Sequence, residues 1–91
     1  MFYGRTKIFL VRGDRVTETE WLDIFSKNLV EMMNEVGITQ RDLAKETSLD
    51  ESTISRYINR ERIPTVKAII NISVALCCDI DDLIFFGDYI E

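Results

Sequence analysis

The 91-residue chain has no histidine, a single proline and only four glycines, which are scattered along it. Without histidine it lacks the side chain that most often serves as an acid or base near neutral pH. Because the glycines are not clustered, no phosphate-binding loop is predicted. The acids near the end of the chain fit no glycine-containing calcium loop. We therefore predict that the protein is not an enzyme and that it uses no cofactor, metal ion or small-molecule substrate.

Cysteines and long apolar runs are also scarce. The two cysteines, Cys77 and Cys78, are adjacent, and neighbouring cysteines on a helix rarely form a disulfide. We interpret them as reduced thiols in a cytoplasmic protein. No apolar run reaches about 18 residues, so no membrane span is predicted, and no signal peptide is expected at the start. The length predicts one small domain with a single core.

Basic residues are outnumbered by acidic ones, so the net charge is −5. The charge is unevenly spread: residues 69–91 carry five acids and no base, whereas residues 39–68 have a net charge of +1. The second of these segments contains a basic cluster, formed by Arg56, Arg60, Arg62 and Lys67. A local basic edge on an acidic body is compatible with nucleic-acid binding, but the nonspecific affinity should be weak.

Residues 39–64 are the most informative stretch, since they read as two short helices joined by a tight turn. Thr39 is a suitable N-cap for a helix over about residues 40–46. The periodicity breaks after that helix, and Asp50 is a second N-cap residue. Asp50 therefore predicts the start of a second helix, over about residues 51–60.

The second of these helices has two different faces. Its apolar side chains, Ile54, Tyr57 and Ile58, fall on one side. The opposite face is polar and comprises Ser52, Thr53, Ser55, Arg56, Asn59 and Arg60. Such groups suit the major groove of DNA, where base edges present hydrogen-bond donors and acceptors. The alternative is an ordinary solvated helix with small polar side chains.

The ordered set of residues in this region resembles the helix-turn-helix of the Cro/CI-type family, also called lambda-repressor-like or XRE. The resemblance covers about residues 25–84 and is carried by Thr39-Gln40, Leu43-Ala44, Ser52-Thr53-Ile54-Ser55-Arg56-Tyr57, Ile63-Pro64, Ile69, Ile72, Ala75-Leu76 and Asp81-Asp82-Leu83. The sequence departs from the family at Ser48 and Arg60, where glycine is usual. If these positions have positive φ, each departure costs about 1 kcal/mol.

The resemblance also implies which residues would contact DNA. Gln40, at the start of the first motif helix, would contact phosphate and support the second helix, the recognition helix. Ser52 and Arg56 match base-reading positions, and Arg56 suits guanine. Glu51 matches another such position, although glutamine is usual there, and its carboxylate would either accept from N4 of cytosine or be repelled by phosphate. The DNA-binding set is completed by Thr53, Ser55, Asn59, Arg60 and Arg62, the last three as contacts to the DNA backbone.

The fold implied by the resemblance is mainly α, a five-helix lambda-repressor-like DNA-binding domain. An added N-terminal β-hairpin is predicted over residues 1–18, the helix-turn-helix domain over residues 19–86, and a C-terminal tail over residues 87–91. The first helix is expected to be capped by Thr19 and to run over about residues 20–36, as far as Gly37.

The fourth helix, predicted over about residues 66–77, is apolar over a wider arc than one core needs. Ile70, Val74 and Cys77 widen its apolar surface. This predicts a second contact, either with the hairpin or with a second subunit. A last helix is predicted over about residues 80–86, after Asp79.

By resemblance, the protein would be a transcriptional regulator that binds specific sequences of double-stranded DNA. It would be a small repressor, phage or antitoxin-like, which binds a palindromic operator as a homodimer. The alternative is a protein-interaction module built on the same fold that does not bind DNA. Salt-dependent binding to random duplex DNA would distinguish these two functions.

Overall fold

A computed structural model of the chain describes residues 17–84, which form five helices. They are α1 (Glu18–Val36), α2 (Gln40–Thr47), α3 (Glu51–Ile58), α4 (Val66–Ala75) and α5 (Ile80–Ile84). The predicted mainly helical, five-helix part of the fold is therefore confirmed. The predicted β-hairpin and C-terminal tail lie outside the described residues.

Helix α1 begins two residues earlier than the sequence analysis predicted. Thr17 is the N-cap: its hydroxyl accepts from the N–H of Glu20, and the Glu20 carboxylate accepts from the N–H of Thr17, both at 3.1 Å. The prediction of Thr19 as the cap is wrong, because only Thr17 has a glutamate three residues later to complete a capping box. The predicted stop is confirmed, since Gly37 has a φ of 80° and its N–H donates to Met33 at 2.8 Å.

The core lies where α1 packs against α3 and α5, and where α4 packs against α2 and α5. Every helix contributes apolar side chains to it. The fully buried ones include Phe25, Leu29, Leu43, Ile54, Ile72 and Leu83. Val36, the last residue of α1, is apolar but 49% exposed.

Helix α4 is shorter than the predicted range of residues 66–77. It ends at Ala75, and Cys77 adopts a left-handed conformation with a φ of 55°. The predicted wide apolar arc is present in part. Ile70 and Val74 are exposed with respect to residues 17–84, and so is Val66, which was not predicted, whereas Cys77 lies beyond the end of the helix.

Helix α5 begins after Asp79, as predicted. The N–H of Asp79 donates to the Asp82 carboxylate at 3.0 Å, which satisfies one donor at the start of the helix. None of the helices within residues 17–84 combines the length and apolar character needed to cross a membrane.

Candidate nucleic-acid interface

Helices α2 and α3 form a compact pair joined by a tight turn. Helix α2 is capped as predicted, since the hydroxyl of Thr39 accepts from the N–H of Asp42 at 3.1 Å. The turn begins at Ser48, which has a φ of 60° and donates its N–H to Ala44. A positive φ at this position is what glycine usually provides. Ser48 therefore adopts the turn geometry without the residue best suited to it.

Helix α3 begins directly after Asp50, as predicted, but not with the predicted side-chain cap. Asp50 has the extended backbone of an N-cap residue, while its carboxylate makes no capping hydrogen bond among the described residues. The helix is instead anchored by its apolar face. Ile54 is fully buried and Tyr57 is 3% exposed, which confirms the predicted inner side.

The other side of α3 faces away from the core. Glu51, Ser52, Arg56 and Asn59 are exposed there, and Thr53 and Ser55 are half-buried at its edges. The amide of Asn59 donates to the hydroxyl of Ser55 at 3.3 Å. The structure thus brings six of the nine predicted site residues onto one surface, five of them on α3 and Asn59 directly after it. These six residues form a polar ridge, whose hydrogen-bonding side chains differ in length.

Two other predicted site residues lie outside α3. Gln40 is half-buried in the first position of α2. Arg62 is exposed in the segment between α3 and α4, and it lines a groove of about 320 Å³ together with Thr53 and Lys67. This groove places two basic side chains beside the recognition helix. The basic cluster predicted from the sequence is therefore partly reproduced in space.

The pKa of the Tyr57 phenol reflects burial and a neighbouring positive charge. Burial raises the pKa of Tyr57, because the charged phenolate would be poorly solvated, and the positive charge of Arg62 partly opposes this effect. Tyr57 therefore remains neutral under ordinary conditions. Tyr57 and Arg62 line the same groove.

Arg60 is placed differently from the rest of the predicted set. It follows α3 with a φ of 62°, so the second position where glycine is usual also has positive φ. Its Nε donates to Oδ1 of Asp23 on α1 at 2.7 Å. No role at the site was predicted for Asp23, because its separation of 37 residues from Arg60 leaves no local signal.

The first half of α1 packs against the buried side of α3, near its end. Trp21 stacks on Phe25 with ring centroids 5.4 Å apart, and Phe25 meets Tyr57 edge to face at 6.1 Å. The hydroxyl of Ser26 donates to the carbonyl oxygen of Tyr57. These contacts fix the orientation of α3 relative to the core.

A tight-turn pair of helices with an exposed polar face on the second one defines a helix-turn-helix protein. A family model described as Helix-turn-helix matches residues 29–83, more than half of the chain. The chain belongs to this family, in its Cro/CI or XRE type, whose members are DNA-binding regulators. Searches of curated proteins and of solved structures gave no match.

Proposed function

We propose that the protein recognises a specific sequence of double-stranded DNA by inserting α3 into the major groove, and that it acts as a small phage or antitoxin-like repressor. The observation that supports this most directly is the division of α3 into two faces. Its apolar side is buried, while its outer side exposes polar groups and no large apolar residue. An ordinary solvated helix also has a polar outer face, so the assignment of this role to α3 rests in addition on the family match over residues 29–83.

In this proposal Ser52 and Arg56 read base edges. The guanidinium of Arg56 suits O6 and N7 of guanine, because it offers two parallel donors. Glu51 precedes them and has the acceptors to pair with N4 of cytosine. The side-chain amide of Gln40 contacts a phosphate at the start of α2 and supports the recognition helix.

The remaining contacts position the protein on the DNA backbone. Arg62 and Asn59 are exposed beside α3, and Lys67 adds a positive charge in the groove next to Arg62. Thr53 and Ser55 lie at the edges of the ridge, where short hydroxyl groups reach phosphates rather than bases. Contacts of this kind fix register and give binding its salt dependence.

We further propose that the protein binds a palindromic operator as a homodimer. Helix α3 has eight residues, so one subunit reads only a few base pairs. A twofold dimer reads two half-sites about one helical turn apart, which multiplies the discrimination. The exposed apolar side chains Val66, Ile70 and Val74 on α4 offer a surface for the second subunit.

A second candidate function is a protein-interaction module that does not bind DNA. The same exposed face of α4 and the net charge of −5 favour it, since an acidic surface repels phosphates. The two functions differ in their response to DNA and salt.

The test is a fluorescence titration of labelled random-sequence duplex with the full chain at several salt concentrations. A DNA-binding regulator should bind at low salt and lose affinity steadily as salt rises. Selection from a random pool of duplexes should then recover related, palindromic sequences. If the chain binds no duplex at low salt, the interaction module becomes the better proposal.

A further inference from the structure

Helix α1 extends well beyond the segment that matches the family. The match begins at residue 29, whereas α1 begins at Glu18, so about three turns of helix precede it. Trp21, Phe25 and Ser26 in this extension support the end of α3. Asp23 lies in the same extension and contacts Arg60, the second residue after α3.

The side chain of Arg60 is held back against the protein. Its Nε lies 2.7 Å from Oδ1 of Asp23, and its Nη1 donates to the carbonyl oxygen of Ile58 at 3.5 Å. The residue adopts a left-handed backbone, which is unfavourable for any residue with a Cβ. The guanidinium nevertheless points toward α1, where it donates to the carboxylate of Asp23, a contact that glycine at this position could not make.

The surroundings of the pair are acidic on one side and basic on the other. A groove of about 500 Å³ separates the start of α1 from the segment after α3. Glu18 lines it from α1, and Arg60, Glu61 and Arg62 line it from the opposite side. The extension of α1 thus brings negative charge next to the basic segment that flanks the recognition helix.

We propose that Asp23 limits the affinity of the protein for DNA by holding the charge of Arg60. This inference rests on the proposed function. The side chains of Arg60 and Asp23 are 47% and 58% exposed, and a pair this open to solvent adds little to stability. Its main effect is to neutralise a guanidinium that would otherwise be available to the DNA backbone.

The restraint sets overall affinity rather than sequence preference. Phosphate contacts strengthen binding to every sequence, whereas base contacts strengthen binding only to the operator. Holding one arginine in an intramolecular pair therefore lowers affinity for operator and random DNA by a similar factor and leaves the contacts of Ser52 and Arg56 intact. Asp23 in this view sets how tightly the protein holds any DNA without itself touching a base.

The experiment compares two variants of the full chain, Asp23→Asn and Asp81→Asn. The second makes the same charge change at an exposed position of α5. Affinity for a random-sequence duplex is measured across a range of salt concentrations. We expect Asp23→Asn to raise affinity about two- to five-fold over Asp81→Asn near 0.1 M salt, because an exposed pair restrains Arg60 only weakly, and to steepen the salt slope by up to about 0.9, the value for one phosphate. Adding Arg60→Ala to Asp23→Asn should remove the gain.

Unfolding in urea shows whether all variants keep the wild-type fold. Equal affinities and slopes for Asp23→Asn and Asp81→Asn would overturn the proposal. Weaker binding by Asp23→Asn would also overturn it, and would make Asp23 a residue that positions the recognition helix. Failure of the proposed function is distinguishable, because then the wild-type chain itself binds no duplex in the same titration.

Discussion

The hydroxyl of Ser26, in the middle of α1, donates a buried hydrogen bond to the carbonyl oxygen of Tyr57, near the end of α3. Carbonyl groups in the last turn of a helix lack the usual partner within the helix. The other bond to this oxygen comes from the N–H of Arg60 and is long, at 3.3 Å. Ser26 therefore ties the end of the recognition helix to the core.

The first prediction concerns this hydrogen bond. Ser26→Ala should lower the free energy of unfolding by about 1–2 kcal/mol, because it removes a buried donor from an oxygen that water cannot reach. Ser73→Ala is the control: Ser73 is also buried, but its hydroxyl donates to Ile70 within its own helix. We expect this control to change stability by less than about 0.5 kcal/mol. Equal losses in urea unfolding would contradict a special role for Ser26.

The second prediction concerns the turn between α2 and α3. Ser48 has a φ of 60°, a conformation that glycine adopts without a steric penalty. Ser48→Gly should therefore raise the free energy of unfolding by about 0.5–1 kcal/mol, the relief of strain minus the added freedom of the unfolded chain.

The matched control for the turn is Ser52→Gly, at a helical position of the same motif. There glycine should destabilise the protein by about 0.5–1 kcal/mol. Thermal or urea unfolding measures both variants. A loss of stability in Ser48→Gly would mean that the serine side chain contributes more than its backbone strain costs.

Much of the fold could be predicted because its signals are local. Thr39 and Gly37 have the residue types that begin and end helices, and the apolar spacing within α3 identified Ile54 as a core residue. The start of α1 was misplaced although the signal was present, since Thr17 and Glu20 have the spacing of a capping box.

Other features left no local signal. Helix α4 ends early because Cys77 is left-handed, and cysteine does not indicate that conformation in a sequence. The outward face of α3 follows from helical periodicity, so most of the candidate site could be predicted. The direction of the Arg60 side chain could not, because it depends on a positive φ and on Asp23, 37 residues away.

The third prediction concerns base reading by Arg56. Arg56→Ala should weaken binding to a selected operator by about 1–3 kcal/mol and relax the preference at one base of each half-site. Arg56→Lys is the matched control, since it keeps the charge but loses the paired donors of the guanidinium. It should retain the salt slope and lose the base preference. Titration of single-base operator variants decides this, and an unchanged preference in Arg56→Ala would remove Arg56 from the reading set.

The fourth prediction separates positioning from reading. Arg62→Ala should weaken binding almost equally for all sequences and lower the salt slope by about one unit, because one phosphate contact is lost. Lys45→Ala makes the same charge change on α2, in a groove next to Ala75 of α4. Its slope should remain close to that of the wild type. If the two variants behave alike, the effect of Arg62 comes from net charge and not from a phosphate contact.

The last prediction concerns the assembly of the protein. Val66, Ile70 and Val74 recur every four residues, so they form one stripe along α4. Val66 and Val74 are 74% and 70% exposed with respect to residues 17–84. An apolar stripe of this kind commonly marks a surface that another element or another subunit covers. We expect a homodimer that uses it.

Light scattering at tens of micromolar should therefore give twice the mass of one chain. Val74→Lys should shift the protein toward monomer, because a charge in the interface loses its hydration. Val36→Lys is the matched control, since Val36 is also an exposed valine near the end of a helix. It should leave the dimer intact.

A truncated chain tests whether this stripe is covered by a second subunit or by the first residues of the same chain. The version lacking residues 1–16 keeps Thr17 and its capping box, so α1 should still form. A dimer that persists in this version places the interface within residues 17–91. A full chain that is monomeric, and unchanged by the truncation, would refute the dimer. The operator would then have to be recognised by a single copy of α3.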